Sequence, residues 1–412
     1  MNPYLLAIIA LYSLSYLLSL VVDWLNINAI KEELPKEFEG VYDQERYSQS
    51  QVYLKTTTRF GLIKETVFMA GIFILILSGA FNHVDLFVRT FELTPIPTGL
   101  AYFLVLSTFS FILQLPFTWI STFYIEAKYG FNRTTLKTFI SDHVKGVILG
   151  LLMGGLILSL ILWFFTVKGE WAWLWAWGGL SLLQVAMMVV YPVLILPLFN
   201  RFEPLDDSEL KTAIMTYSES QRFHLKGIFK MDGSKRSTKT NAFFTGIGRF
   251  RRVVLFDTLI NVHTVSQLVA IVAHEIGHYK RAHIYKMIVM NCLSSLLMFF
   301  VLGKFINHPG LFDAFQMQHL SIYASLVFFS ILFGPIDHFL SLITNFWSRR
   351  YEFEADAFVV QSTGQGTPLI EALKKLSVDN LSNLTPHPIK VAMEYSHPPV
   401  LARIKAIRQL ER

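Results

Sequence analysis

Residues 271–284 read Ile-Val-Ala-His-Glu-Ile-Gly-His-Tyr-Lys-Arg-Ala-His-Ile. His274 and His278 are four apart, so on a helix both imidazoles leave one face. Two neutral ring nitrogens can then bind one zinc ion at about 2.0–2.1 Å. Glu275 follows the first ligand and reaches a water on the metal. Zinc brings the pKa of that water toward about 7, the carboxylate accepts its proton, and the hydroxide attacks a carbonyl. The plainer reading is a helix with two ordinary histidines. The apolar run Leu-Val-Ala-Ile-Val-Ala before the motif, and Gly277, which lets another element approach closely, favour the metal.

Catalytic zinc takes three protein ligands and leaves one position open. The segment Ser-Arg-Arg-Tyr-Glu-Phe-Glu-Ala-Asp-Ala-Phe (348–358) offers the third. As a helix it places Glu352 and Asp356 on one face, with Glu354 roughly 200° around from Glu352 at about 100° per residue. Glu352 is the candidate ligand, and Asp356 a candidate to orient a ligand histidine. A solvated acidic helix start, favoured by the helix dipole, is the competing reading. His283 reads as an interfacial histidine rather than a ligand. His143, His263, His338 and His387 have no evident partner.

The elements that must hold these residues are not those of a soluble protein. Apolar residues make up 53% of the 412 and charged residues 16%, against about 25% charged in soluble domains. The excess lies in runs long enough to cross a bilayer, at roughly 3–22, 65–82, 99–122, 144–166, 171–199, 284–303 and 321–344. Pro192 and Pro197 should kink or end the fifth span. Gln114 and Pro116 should turn the third toward protein or a cavity. The start of the chain lacks a basic leader region and reads as a retained first span. Cys292 is the single cysteine, which excludes an internal disulfide and a thiol-rich metal site.

The net charge of +6 does not call for nucleic acid, because basic residues gather in alternate loops. Loop 23–64 carries six Lys/Arg and loop 123–143 three, and loop 200–283 and the tail are richer still. The positive-inside rule then puts the N-terminus outside and the tail in the cytoplasm. Loop 200–283 reads as a small domain. A helix near 205–221 is capped by Asp206, Asp207 or Ser208 with Glu209 in its first turn. Strands broken by Asp232-Gly233, Gly246 and Gly248 follow. A helix capped by Thr264 or Ser266 then carries the histidines. The organisation is 1–199, five spans; 200–283, a catalytic domain; 284–347, two spans; and 348–412, a C-terminal catalytic segment.

HEIGHYK, SRRYEFEADAF, SKRSTKTNAFFTG with RRVVLFDTLI, and EYSHPPVLARI together resemble the type I CAAX prenyl proteases, integral-membrane zinc metalloproteases. FYIEAKYGFNRTT and LPLFNRFEPL fit as well, so the resemblance spans most of the chain. It implies a mainly α membrane protein. Seven transmembrane helices would surround a water-filled chamber, with a gluzincin-type zinc domain of helices and a small β-sheet at the cytoplasmic side. It implies one zinc ion on His274, His278 and Glu352, with Glu275 as catalytic base and Asp356 behind the ligands. It implies that Asn241, Ala242 and Phe243 pair with substrate backbone, that His397 stabilises the oxyanion, and that Arg403 lines the site. Read alone, Asn241 is a turn residue, and His397-Pro398-Pro399 is a rigid helix entry.

The expected substrate is a peptide or protein, prenylated if the chain follows the eukaryotic members, and the expected surroundings are membrane lipid. The short extracytoplasmic loops lean toward a bacterial inner membrane, or the endoplasmic reticulum in a eukaryote. Two other readings remain. A membrane quality-control zinc protease shares the HExxH and a similar acidic segment, with fewer spans. A non-enzymatic membrane scaffold would need a degenerate metal site, yet every chemical group is present.

Overall fold

The computed structural model describes residues 2–246 and 251–412. Among the described residues, seven helices are long and apolar enough to cross a bilayer: α1 (Pro3–Asn28), α2 (Gln44–Leu77), α3 (Pro95–Glu126), α4 (Leu136–Val167), α5 (Gly169–Phe199), α8 (His283–Phe305) and α9 (Ile322–Thr363). Between α5 and α8 lie α6 (Glu209–Ser220) and α7 (Val265–Lys280), and after α9 come α10 (Thr367–Asp379), α11 (Pro388–Glu394) and α12 (Val400–Leu410). Large apolar side chains such as Leu152 and Leu182 are exposed on the spans, as expected for helices that lipid covers.

The helices overrun the apolar segments. α2 starts at Gln44 and stops at Leu77, where the sequence suggested 65–82; a separate helix, Ala80–Arg89, follows. α9 continues past its apolar half through Glu352 and Asp356 to Thr363. Gly364, at φ 74°, ends it in the left-handed conformation that glycine accepts without strain. Pro192 sits in a π-helical turn, Tyr191–Ile195, and α5 ends at Phe199. A proline that cannot donate its backbone hydrogen bond is accommodated by such widening.

Two caps anchor the site domain. Ser208 caps α6 by accepting from Lys211 N, 3.3 Å. Thr264 caps α7 in a reciprocal box: its Oγ1 accepts from Gln267 N at 3.4 Å, and Gln267 Oε1 accepts from Thr264 N at 3.2 Å. α7 buries Leu268, Ala270, Ile271, Val272, Ala273 and Ile276, so it is enclosed on nearly every side.

Among the described residues the sheet has four strands: β1 (Phe202–Pro204), β2 (Gly227–Met231), β3 (Ala242–Thr245) and β4 (Arg252–Phe256), in the order β1-β2-β4-β3. β2 and β4 run parallel, and the two outer pairs antiparallel. β2 ends at Asp232-Gly233. Gly246, at φ 85°, follows β3, while Gly248 lies outside the described residues. One core joins the spans around Tyr102, Phe312, Phe315 and Phe328. A second packs the sheet on α6 and α7 through Ile214, Leu255, Val272 and Ile276.

Candidate metal centre and active site

α7 meets α9 where Gly277 lacks a side chain. A Cβ there would stand 3.2 Å from the Cα and carbonyl oxygen of Ala355 and from the Cβ of Phe358. This approach brings the histidine face of one helix onto the carboxylate face of the other. His274 Nε2 and His278 Nε2 are 3.1 Å apart. Glu352 Oε1 is 3.2 Å from His278 Nε2, and its Oε2 is 3.4 Å from His274 Nε2. All three side chains can thus offer ligand atoms to one metal ion.

The charges behind this triangle are tightly organised. Asp356 Oδ1 lies 2.9 Å from His274 Nδ1. Arg403 donates to both Asp356 oxygens, from Nη2 at 2.7 Å and Nε at 2.8 Å, a forked, charge-assisted pair. Its Nη1 stands 3.0 Å from Glu352 Oε2. That contact is electrostatic only, because Glu352 Oε2 is buried without a hydrogen-bond partner. A buried carboxylate oxygen left with a free lone pair is costly, and a cation between the three ligands would relieve it. Burial pulls the His274 imidazole down, but the Asp356 and Glu352 carboxylates outweigh it and hold its pKa up to about 9. The pocket already favours positive charge at the place a metal would take.

Glu275 points into the same cavity, of about 640 Å³. Burial raises its carboxyl pKa, the Glu352 charge adds to this, and His274, His278 and His397 oppose it. Burial lowers the Arg403 pKa, but the Asp356 and Glu352 carboxylates prevail and keep the guanidinium charged. His397 Nε2 is 3.4 Å from Glu352 Oε1, with 65% of its side chain exposed. Arg349 holds the segment before it, donating from Nη1 to the carbonyls of Val391 (2.9 Å) and Tyr395 (2.6 Å).

Asn241 and the first three residues of β3, Ala242, Phe243 and Phe244, border the cavity. Asn241 O accepts from Phe256 N at 3.1 Å on the β4 side. Alternation along an antiparallel ladder then turns the backbone groups of Ala242 and Phe244 to the open edge. The Asn241 side chain covers one of them, its Oδ1 accepting from Ala242 N at 2.8 Å.

Of the ten candidate site residues, Asn241, Ala242, Phe243, His274, Glu275, His278, Glu352, His397 and Arg403 line one cavity, and Asp356 lies directly behind its wall. Arg403 is the one held most tightly by its neighbours. It reaches the cavity, but it is buried and committed to two carboxylates rather than presented to a substrate. Two residues passed over in the sequence also belong here. His283 stands 3.1 Å from His278, Nδ1 to Nδ1, and Glu354 Oε2 stands 3.1 Å from His283 Nε2. Their signal was weak: five residues of helix would turn His283 away from His278. Only the left-handed turn at Ala282, φ 58°, brings it back. Gln184 and Asn291, from α5 and α8, add polar groups to the cavity lining.

A peptidase-type metal constellation at the end of a bundle of membrane-crossing helices defines a multi-pass integral-membrane metallo-endopeptidase. Residues 23–201 match the family model described as CAAX prenyl protease N-terminal, five membrane helices, and residues 204–411 match Peptidase family M48. The CAAX prenyl protease 1 homolog of Arabidopsis thaliana is 34% identical, over 98% of this chain and 97% of its own. CAAX prenyl protease 1 of Saccharomyces cerevisiae is 30% identical, over 91% and 88%. The crystal structure of S. mikatae Ste24p superposes with a TM-score of 0.93 at 29% identity, over 99% of both chains. The chain belongs to the CAAX prenyl protease family within M48. These relatives are eukaryotic, so the lean toward a bacterial member finds no support: brief extracytoplasmic loops do not identify a source.

Proposed function

We propose that this chain is a zinc-dependent endopeptidase with His274, His278 and Glu352 as the metal ligands, Glu275 as the base, and a prenylated CAAX-type protein as substrate. The observation that carries the reading is the ligand triangle. Zinc bonds of about 2.0–2.1 Å at tetrahedral angles need ligand atoms about 3.3 Å apart. The two nitrogens here are 3.1 Å apart, and each faces its own Glu352 oxygen, His278 Nε2 at 3.2 Å from Oε1 and His274 Nε2 at 3.4 Å from Oε2. When bound, zinc supplies Lewis acidity to the scissile carbonyl and to the attacking water.

The protein's own groups do the rest. A substrate strand adds to the open edge of β3, pairing with Ala242 and Phe244 and fixing the carbonyl's pose. Glu275 takes the proton from the attacking water and returns it to the leaving amine. His397, exposed to the cavity, donates toward the developing oxyanion. Asp356 and Arg403 hold His274 and Glu352 from behind. The ranges 200–283 and 348–412 form the catalytic unit on the spans 1–199 and 284–347, and the basic loops put that unit in the cytoplasm. The eukaryotic relatives favour the endoplasmic reticulum membrane.

Glu275→Gln should keep zinc and lose about 10²–10⁴ in turnover; retained turnover would refute the base. Glu352→Ala should lower zinc stoichiometry in the purified chain, and an unchanged stoichiometry would rule out that ligand. The substrate class is tested with a farnesylated peptide, its unprenylated twin and an unfolded membrane protein. Cleavage of the unfolded protein alone would point instead to quality control.

A further inference from the structure

His283 is 2% exposed and opens the sixth span. Its Nδ1 faces His278 Nδ1 at 3.1 Å, and its Nε2 faces Glu354 Oε2 at 3.1 Å. Arg350 holds the other Glu354 oxygen, Nε to Oε1 at 3.2 Å. The His283 ring lies flat on Tyr351, centroids 4.3 Å apart and planes 13° apart. None of these contacts serves the reaction directly, and a buried imidazole so fully constrained calls for a reason.

Hydrogen-bond direction supplies it. An ionised carboxylate can only accept, so His283 Nε2 carries the hydrogen toward Glu354. A neutral imidazole then has a bare lone pair at Nδ1. His278 must meet that lone pair with its own Nδ1–H, which leaves its Nε2 lone pair aimed at the ligand triangle. His274 is oriented by a carboxylate directly, through Asp356. His278 is oriented by a carboxylate through one intervening ring.

We propose that His283 and Glu354 are positioning residues that fix the tautomer and ring plane of His278 for metal binding. The inference rests on the zinc-ligand reading given above. It also ties the metal to the membrane, because the relay passes through the first residue of α8 and one polar turn of α9.

The test is zinc affinity of the full chain in detergent, measured by competition with a chelator. His283→Phe keeps the stacking on Tyr351 but removes the acceptor, and should weaken zinc binding by about 10–100-fold, the usual effect of losing such a partner. His283→Asn places an amide oxygen near the Nδ1 position and should recover most of the loss. Glu354→Ala, at a partly exposed position that a fold tolerates, should weaken binding in the same direction. The proposal is overturned if His283→Phe, or Glu354→Ala where His283→Phe fails to fold, binds zinc as tightly as the unsubstituted chain. It is equally overturned if His283→Asn is no better than His283→Phe. If the unsubstituted chain itself takes up no zinc, the ligand assignment falls first and this inference with it, so the two failures are told apart by that arm.

Discussion

If His274 binds the metal as proposed, a proton and the metal ion compete there for the same nitrogen. Nδ1 is occupied by Asp356, and the two carboxylates keep the ring protonated up to a pKa of about 9. Below that value the metal-free site carries a hydrogen on Nε2 that must leave when zinc enters. The sign follows: the raised pKa penalises metal binding at low pH, and the penalty fades as pH climbs toward 9. Zinc affinity measured from about pH 6 to about pH 10 should therefore rise with pH and flatten near the ring's pKa. Asp356→Asn removes one of the charges that raise this pKa, so its curve should flatten at lower pH, with zinc bound about 10–100-fold more weakly because the ring loses its support. An affinity that ignores pH between 6 and 9 would contradict the charge balance read from Asp356, Glu352 and Arg403.

Two helices make the site, and their spacing is set by one missing side chain. Gly277→Ala should improve α7 as an isolated helix, since alanine exceeds glycine by about 1 kcal/mol in helix propensity. In the protein the new methyl meets Ala355 backbone at 3.2 Å, which backbone atoms relieve only by moving the helices apart. Glu352 lies one turn from that contact, and a shift of tenths of an ångström at a metal triangle should cost about tenfold in activity. Circular dichroism should show helix content unchanged while turnover falls; equal turnover would mean that the helices are not held at contact distance. The same pair shows what the sequence could reveal. His274, His278, Glu352 and Asp356 were legible because each pair obeys helical spacing, and Ser208 and Thr264 because capping is local. The span ends were not legible, because apolar composition marks the lipid-covered part of a helix while α2 and α9 continue through polar residues. The short strand β1 and the parallel pairing of β2 with β4 carry no local signature. Glu354 does face away from the ligands, as its angle implied, but the imidazole waiting there depends on a turn at Ala282 that no periodicity announces.

On the scale of the whole molecule the two ends of the chain close on each other beside the site. The C-terminal end of α1 grips the C-terminal region: Asp23 Oδ1 is 2.5 Å from Lys390 Nζ, and Asn26 Oδ1 accepts from His387 N at 3.1 Å. Just beyond, Glu37 Oε1 meets Lys374 at 2.5 Å and Arg408 at 2.7 Å. These contacts fix α10, α11 and α12, which frame His397 and carry Arg403, whereas His274, His278 and Glu352 stand on α7 and α9. The α1 contacts thus reach the His397 segment and not the side chains of His274, His278 and Glu352, while Arg403 bridges α12 to Asp356 and Glu352 on α9. Burial lowers the Lys390 pKa, but Asp23 and Glu394 outweigh it and leave it raised. Such a group contributes stability that is fully present below the ordinary lysine value of about 10.4 and is lost only as pH rises through the folded value. Asp23→Ala breaks a buried pair, a change that costs about 3–5 kcal/mol when the partner is abandoned. Lys390 keeps Glu394 at 2.5 Å, so about 2 kcal/mol is expected here, seen as a lower Tm near neutral pH and a shrinking difference in strong alkali. The same variant should bind zinc at full stoichiometry yet cleave with reduced kcat/KM, because the His397 segment loses its tether to α1 while the ligand triangle does not. Loss of zinc together with activity would show instead that the first span supports the metal site itself.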